Sequence, residues 1–275
     1  MKYIKILILI VCIFNCHSNH ELIRKDYSLD SNLNNQNYSI SSFNESGQKV
    51  MILFTPTIWK TEILFDDDKS LIHFFTKKDY RVYFIQMNQS KNHLDQAQEA
   101  LRNLLRHIKI SEYNLGGIST GGWHISNIYR GWSSDLPKAS KIFFLGTGFD
   151  YNYPHSFPKQ YDSFLENTNL HPYPRFFLNP GLMKYWKGGE IEVILPEAEL
   201  NIPSDIPIAF YWGKIDSISP SESIYPIYRK LKNPKLWMEL SIANGMAKDY
   251  DQGSLLLGDE TTEDVFSEIE RWLED

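Results

Sequence analysis

Residues 114–122 read NLGGISTGG, and within them Ser119 stands between Gly117 and Gly121 in a G-x-S-x-G pattern. An apolar run, YNLGGI, precedes the serine, and the amphipathic stretch GGWHISNIYRGW follows it. A serine hydroxyl is a weak nucleophile at neutral pH. It needs a base within hydrogen-bond reach, an acid to orient that base, and donors for the developing oxyanion. A serine mounted on a sharp strand-to-helix bend needs small neighbours two residues away on each side, because strand and helix approach closely there. Gly117 and Gly121 meet that need. The competing reading is a glycine-rich turn with a solvent-facing serine.

The elements around Ser119 alternate. KVMILFT (49–55), YRVYFIQM (80–87), YNLGGI (113–118), KIFFLGT (141–147), IPIAFYWG (206–213) and LWMELSI (236–242) read as buried strands. FDDDKSLIHFFTKKD (65–79), HLDQAQEALRNLLRHI (93–108), residues 120–132, SESIYPIYRKLKN (221–233) and TEDVFSEIERWL (262–273) read as helices. The alternation predicts a mostly parallel sheet with helices on both faces, spanning 49–275. Residues 149–206 break the rhythm with an aromatic- and proline-rich segment. It is read as a lid-like insertion over the carboxyl edge of the sheet, where open α/β folds bind ligands; a plain packing insert is the alternative.

Lys2, Lys5 and the apolar run Ile4–Phe14 predict a signal peptide over residues 1–15, too short to span a bilayer. Cys16 follows in IFNC, which resembles a bacterial lipoprotein signal, although Ile13 and Asn15 depart from the usual Leu and small residue. The resemblance implies an exported protein lipidated at Cys16 and anchored to a membrane of the cell envelope. Cleavage there removes Cys12, leaving one thiol and no possible internal disulfide. The Asn- and Ser-rich segment that follows, to residue 48, reads as a flexible tether. The chain's formal charge of −6 becomes −6 − 2 = −8 once Lys2 and Lys5 are lost, which argues against a nucleic-acid partner.

From Lys49 onward the chain resembles the α/β-hydrolase fold family. KVMILFTPTIWKTEILFDDDKSLIHFFTKKDYRVYFI is similar to the first block of polyhydroxyalkanoate synthases and related acyl hydrolases, with Ser70-Leu71 and Tyr80-Arg81-Val82-Tyr83 carrying the likeness. The synthases use cysteine at the bend, so Ser119 points to the hydrolase side. The resemblance implies Ser119 as nucleophile and Asp216, in FYWGKIDSISP, as the acid. It implies oxyanion donation from the backbone N–H of Thr120 and from Thr57 or Ile58. Thr55-Pro56 replaces a His-Gly pair, and Pro56 has no N–H to give. The family's base is a histidine in the loop before the last helix. Here that loop, ANGMAKDYDQGSLLLGDETTEDVFSEI, contains none. One register puts Lys248 at the base position. A second, resembling the acid lipases and preferred because it extends further into the helix, puts Gln252 there.

Elsewhere, His73, His93 and His107 lie on or beside helices and read as solvated or capping, and His124 reads as packed or surface-exposed. His155 and His171 fall in the insertion, an unusual route to a base. The run Asp66-Asp67-Asp68 reads as negative charge at a helix start rather than a metal site. No cofactor motif is visible, since GGISTGG lacks the lysine of a phosphate loop. Two functions remain open: a serine hydrolase of acyl esters or lipids with an unconventional base, or a hydrolase-fold protein that has lost turnover and binds an apolar ligand.

Overall fold

The computed structural model describes residues 25–26, 38–55, 69–87, 93–126, 128–132, 135–148, 200–216, 219, 221–251, 254–255 and 258–275. Eight strands form one sheet: β1 (Lys25–Asp26), β2 (Tyr38–Phe43), β3 (Lys49–Phe54), β4 (Tyr80–Met87), β5 (Asn114–Ile118), β6 (Lys141–Leu145), β7 (Ile208–Gly213) and β8 (Lys235–Leu240). Their spatial order is β1-β2-β4-β3-β5-β6-β7-β8. The pairs from β4 through β3, β5, β6 and β7 to β8 are parallel. β1 and β2 run antiparallel at one edge.

The helices are α1 (Leu71–Lys77), α2 (His93–Ile108), α3 (Gly121–Ser126), α4 (Ser221–Lys230) and α5 (Glu263–Glu274). Two apolar cores, one on each face of the sheet, explain why the strands read as continuous apolar runs. Val50, Ile52 and Phe54 of β3 join residues of α2, α3 and α4 in one core, while Met51 and Leu53 join residues of α1 and α5 in the other. Each face therefore takes alternate residues of the same strand.

Two boundaries move for local reasons. α1 starts at Leu71 because Ser70, in extended backbone, caps it: its side chain accepts from the His73 N–H at 3.3 Å. The Asp66–Asp68 run lies outside the described residues. His73 is buried, against the expectation of a solvated residue. α3 stops at Ser126, short of the expected 132. Ser126 Oγ donates back to Trp123 O at 2.7 Å, and Ser126 O accepts from Asn201 N at 2.9 Å, taking that carbonyl out of helical pairing. Gly131 follows with φ +63°.

The tether reading of residues 16–48 needs a larger correction. Residues 38–43, YSISSF, form β2, paired along its length with β4, and residues 25–26 add β1. Tyr38 and Ile40 enter one core and Phe43 the other, and Asn103 Nδ2 donates to Tyr38 Oη at 3.0 Å. Three serines mask the apolar spacing here, and pairing with β4 overrides the weak local signal. Of the insertion read over 149–206, residues 149–199 lie outside the described residues. Its ends are fixed: Trp123 Nε1 donates to Gly148 O at 2.5 Å, and Asn201 N reaches Ser126 O. Both attachments are to α3. No helix among the described residues is long and apolar enough to cross a membrane.

Candidate active site

β5 ends at Ile118, and the chain reverses direction at Ser119 with φ +51°. A non-glycine residue in this left-handed region is strained and persists where the surrounding packing holds it; Ser119 is 4 % exposed. Its N–H donates to Leu145 O of β6 at 2.9 Å, and Gly122 N and Trp123 N donate to Ser119 O and Thr120 O at 3.0 and 3.1 Å to start α3.

Three glycines make the bend possible, each for lack of a Cβ. A Cβ on Gly117 would lie 2.5 Å from Gly122 Cα. One on Gly121 would lie 2.1 Å from Phe54 O and 2.8 Å from Thr55 N, in the backbone of β3 and just beyond it. One on Gly122 would lie 2.4 Å from both branches of Thr147. Gly117 and Gly121 were the glycines singled out in the sequence. Gly122 is equally constrained, and its role becomes visible only once Thr147 is seen packed against it.

Asp216 lies three residues beyond β7 in a tight turn, where its N–H donates to Gly213 O at 3.1 Å. It is 4 % exposed, and its Oδ1 accepts from Ser219 N at 2.8 Å. Ser119 and Asp216 therefore both leave the carboxyl edge of the sheet, with only β6 between their strands. Two inter-strand spacings amount to about 10 Å, a gap a bridging side chain can fill.

The loop after β8 runs against that edge. Tyr250 O accepts from Ile215 N at 3.1 Å, and a Cβ on Gly213 would lie 2.3 Å from the same oxygen. Asp251 then caps a helical turn: its Oδ1 accepts from Ser254 N at 2.8 Å, and its carbonyl accepts from Leu255 N. Gln252, preferred in sequence for the base position, lies outside the described residues, as do Thr57 and Ile58. Lys248, the alternative, is engaged as a cation. Its Nζ donates to Asp259 Oδ2 and to Ser254 Oγ at 3.2 Å, and sits 5.1 Å from the Tyr250 ring centre. Burial alone would push the Asp259 carboxyl up. Donation from Lys248 and from the Thr261 hydroxyl and N–H outweighs this and holds it below the usual range. The Lys248 amine is thus taken up by an ion pair and a hydrogen bond within its own loop. His124 is buried in α3 beside Phe54, with ring centres 6.3 Å apart, in the packed role expected of it.

A mostly parallel sheet in this order, helices on both faces, a serine on a left-handed bend after β5 and a carboxylate after β7 define the architecture: the chain has the α/β-hydrolase fold. No protein-family model matches it, and no curated protein does. Solved structures do. A candidate lipase, Lip1, from Acinetobacter baumannii AYE superposes with a TM-score of 0.62 at 16% identity, covering 92% of this chain and 91% of that one. An esterase from Exiguobacterium antarcticum gives 0.57 at 10% identity, over 87% of this chain and 98% of that one. The carboxylesterase CesB of Bacillus subtilis gives 0.54 at 12% identity, over 87% and 89%.

Proposed function

We propose that the protein is a serine hydrolase of small acyl esters or lipids, with Ser119 as nucleophile, Asp216 as the orienting acid and the Thr120 N–H as an oxyanion donor. The observation that carries this reading is the bend itself. A buried serine held at φ +51° by three glycines that admit no side chain is strained, and strain of about 1–3 kcal/mol persists where function repays it. The esterases and lipases among the structural neighbours support ester substrates. In this reading Ser119 Oγ attacks the ester carbonyl, the Thr120 N–H donates to the negative oxygen, and the C–O bond to the alkoxide breaks as the serine's proton passes to it, so that it leaves as the alcohol. Water then cleaves the acyl-serine bond to release the acid.

The test is labelling with a fluorophosphonate, which phosphonylates an activated serine. The wild-type protein is expected to label and Ser119→Ala to remain unlabelled; a wild type that resists the probe under all conditions retires the enzyme reading. A second reading rests on a specific observation: the loop after β8 has no histidine, and Lys248 is tied to Asp259. On that reading the fold binds an acyl ligand without turning it over.

Export and anchoring through Cys16 belong to the same proposal and rest on the apolar run Ile4–Phe14 followed by IFNC. In a bacterial host, full-length protein is expected to take up an alkynyl fatty acid and sediment with membranes. Cys16→Ala should lose the fatty acid and move to the soluble fraction. A wild type that incorporates no fatty acid removes the anchor from the proposal.

A further inference from the structure

Thr147 lies two residues past β6, 28 positions from Ser119 in sequence, and is 1 % exposed. Gly146, at φ +56° and with its N–H on Tyr211 O at 2.9 Å, turns the chain so that the Thr147 side chain packs against the elbow. There Thr147 Oγ1 donates to Ser119 O at 2.9 Å; Gly117 O, at 3.4 Å, is the more distant acceptor. Its Oγ1 and Cγ2 occupy the space that a Cβ on Gly122 would need. Ser119 O thus receives two donors, Gly122 N along the new helix and the Thr147 hydroxyl from the β6 side.

The carbonyl of Ser119 and the N–H of Thr120 belong to one trans peptide plane and point in opposite directions. Holding the carbonyl from two sides therefore sets the direction of the N–H. We infer that Thr147 is a positioning residue that aims the Thr120 N–H at the oxyanion by anchoring the Ser119 carbonyl. The inference rests on the serine-hydrolase reading above and adds to it a residue that no motif marks. Gly122, lacking a Cβ, leaves the room in which the threonine side chain reaches the carbonyl.

The experiment compares Thr147→Val, Thr147→Ala and Thr147→Ser with wild type. The readouts are the fluorophosphonate labelling rate, kcat and KM on a p-nitrophenyl acyl ester, and thermal midpoint. Val and Ala both remove the donor but differ in volume, and Ala relieves any crowding at Gly122, so a loss common to both belongs to the hydroxyl. Deleting an oxyanion donor outright costs about 10²–10³ in kcat. Misaiming one is expected to cost about 10-fold to 100-fold in kcat and labelling rate, with KM within about twofold. Thr147→Ser should recover most of the rate. Val and Ala variants that label within twofold of a labelling wild type overturn the inference. So does a loss in all three variants that follows their thermal midpoints, since that marks a purely structural role. A wild type that does not label overturns the hydrolase reading itself, and this inference with it.

Discussion

Gly121→Ala should collapse the elbow. The added methyl would lie 2.1 Å from Phe54 O, 2.4 Å from Phe54 C and 2.8 Å from Thr55 N, all backbone at the end of a central strand. No rotamer change relieves such a clash, because neither partner is a side chain. Either β3 moves away from its pairings with β4 and β5, or the start of α3 lifts off the sheet. Overpacking in a well-ordered core costs about 1–3 kcal/mol, more where backbone must shift; here we expect about 3 kcal/mol or more. For a domain of this size that lowers the thermal midpoint by about 6–12 °C. Gly131→Ala is the matched control. Gly131, unlike Gly121, has a positive φ, +63°, but nothing lies within 4 Å of an added Cβ, so only backbone strain of about 1–2 kcal/mol is incurred. A Gly121→Ala protein that melts like wild type and still labels at Ser119 would show that strand and helix do not approach this closely.

Gln252→His should restore a conventional base and raise hydrolysis of a short acyl ester by about 10²–10⁴-fold, the range that a positioned general base contributes. An amide cannot accept the serine proton near neutral pH, whereas imidazole, with a pKa ordinarily near 6.5, can. Tyr250 O accepts from Ile215 N, beside Asp216, and Asp251 Oδ1 accepts from Ser254 N. An imidazole at 252 would thus enter the chain right after the segment that abuts the acid loop. The gain should grow as pH rises through 6 to 7, as the imidazole loses its proton and becomes a base. It should be absent from the Ser119→Ala, Gln252→His double variant. A gain in Lys248→His instead would move the register, and no gain in either would remove this loop as the source of the base.

How much of this was readable in advance varied with local signal. β4 and α2 have the bounds the sequence predicts, because their apolar period is strong and unbroken. The bend at Ser119 was readable because glycines at 117 and 121 have few other uses at the end of an apolar run. β2 was not: YSISSF alternates weakly, and its burial comes from pairing with β4, more than 35 residues away. Thr147 could not be found from sequence at all. Its part depends on a hydrogen bond between the ends of two neighbouring strands, and a threonine in FFLGT carries no mark of it. The partner donor expected at Thr57 and the base position at Gln252 both fall outside the described residues.

Building residues 25–26 into the sheet alters how far the body can stray from its proposed anchor. Between Cys16 and β1 there are only 25 − 16 = 9 chain steps, about 30 Å when fully stretched. That is less than the width of a compact domain of this size, about 45 Å. With the lipid proposed at Cys16 in place, a leash this short would hold the body in a thin layer over the bilayer, where a hydrolase would meet amphiphiles by lateral diffusion ahead of water-borne esters.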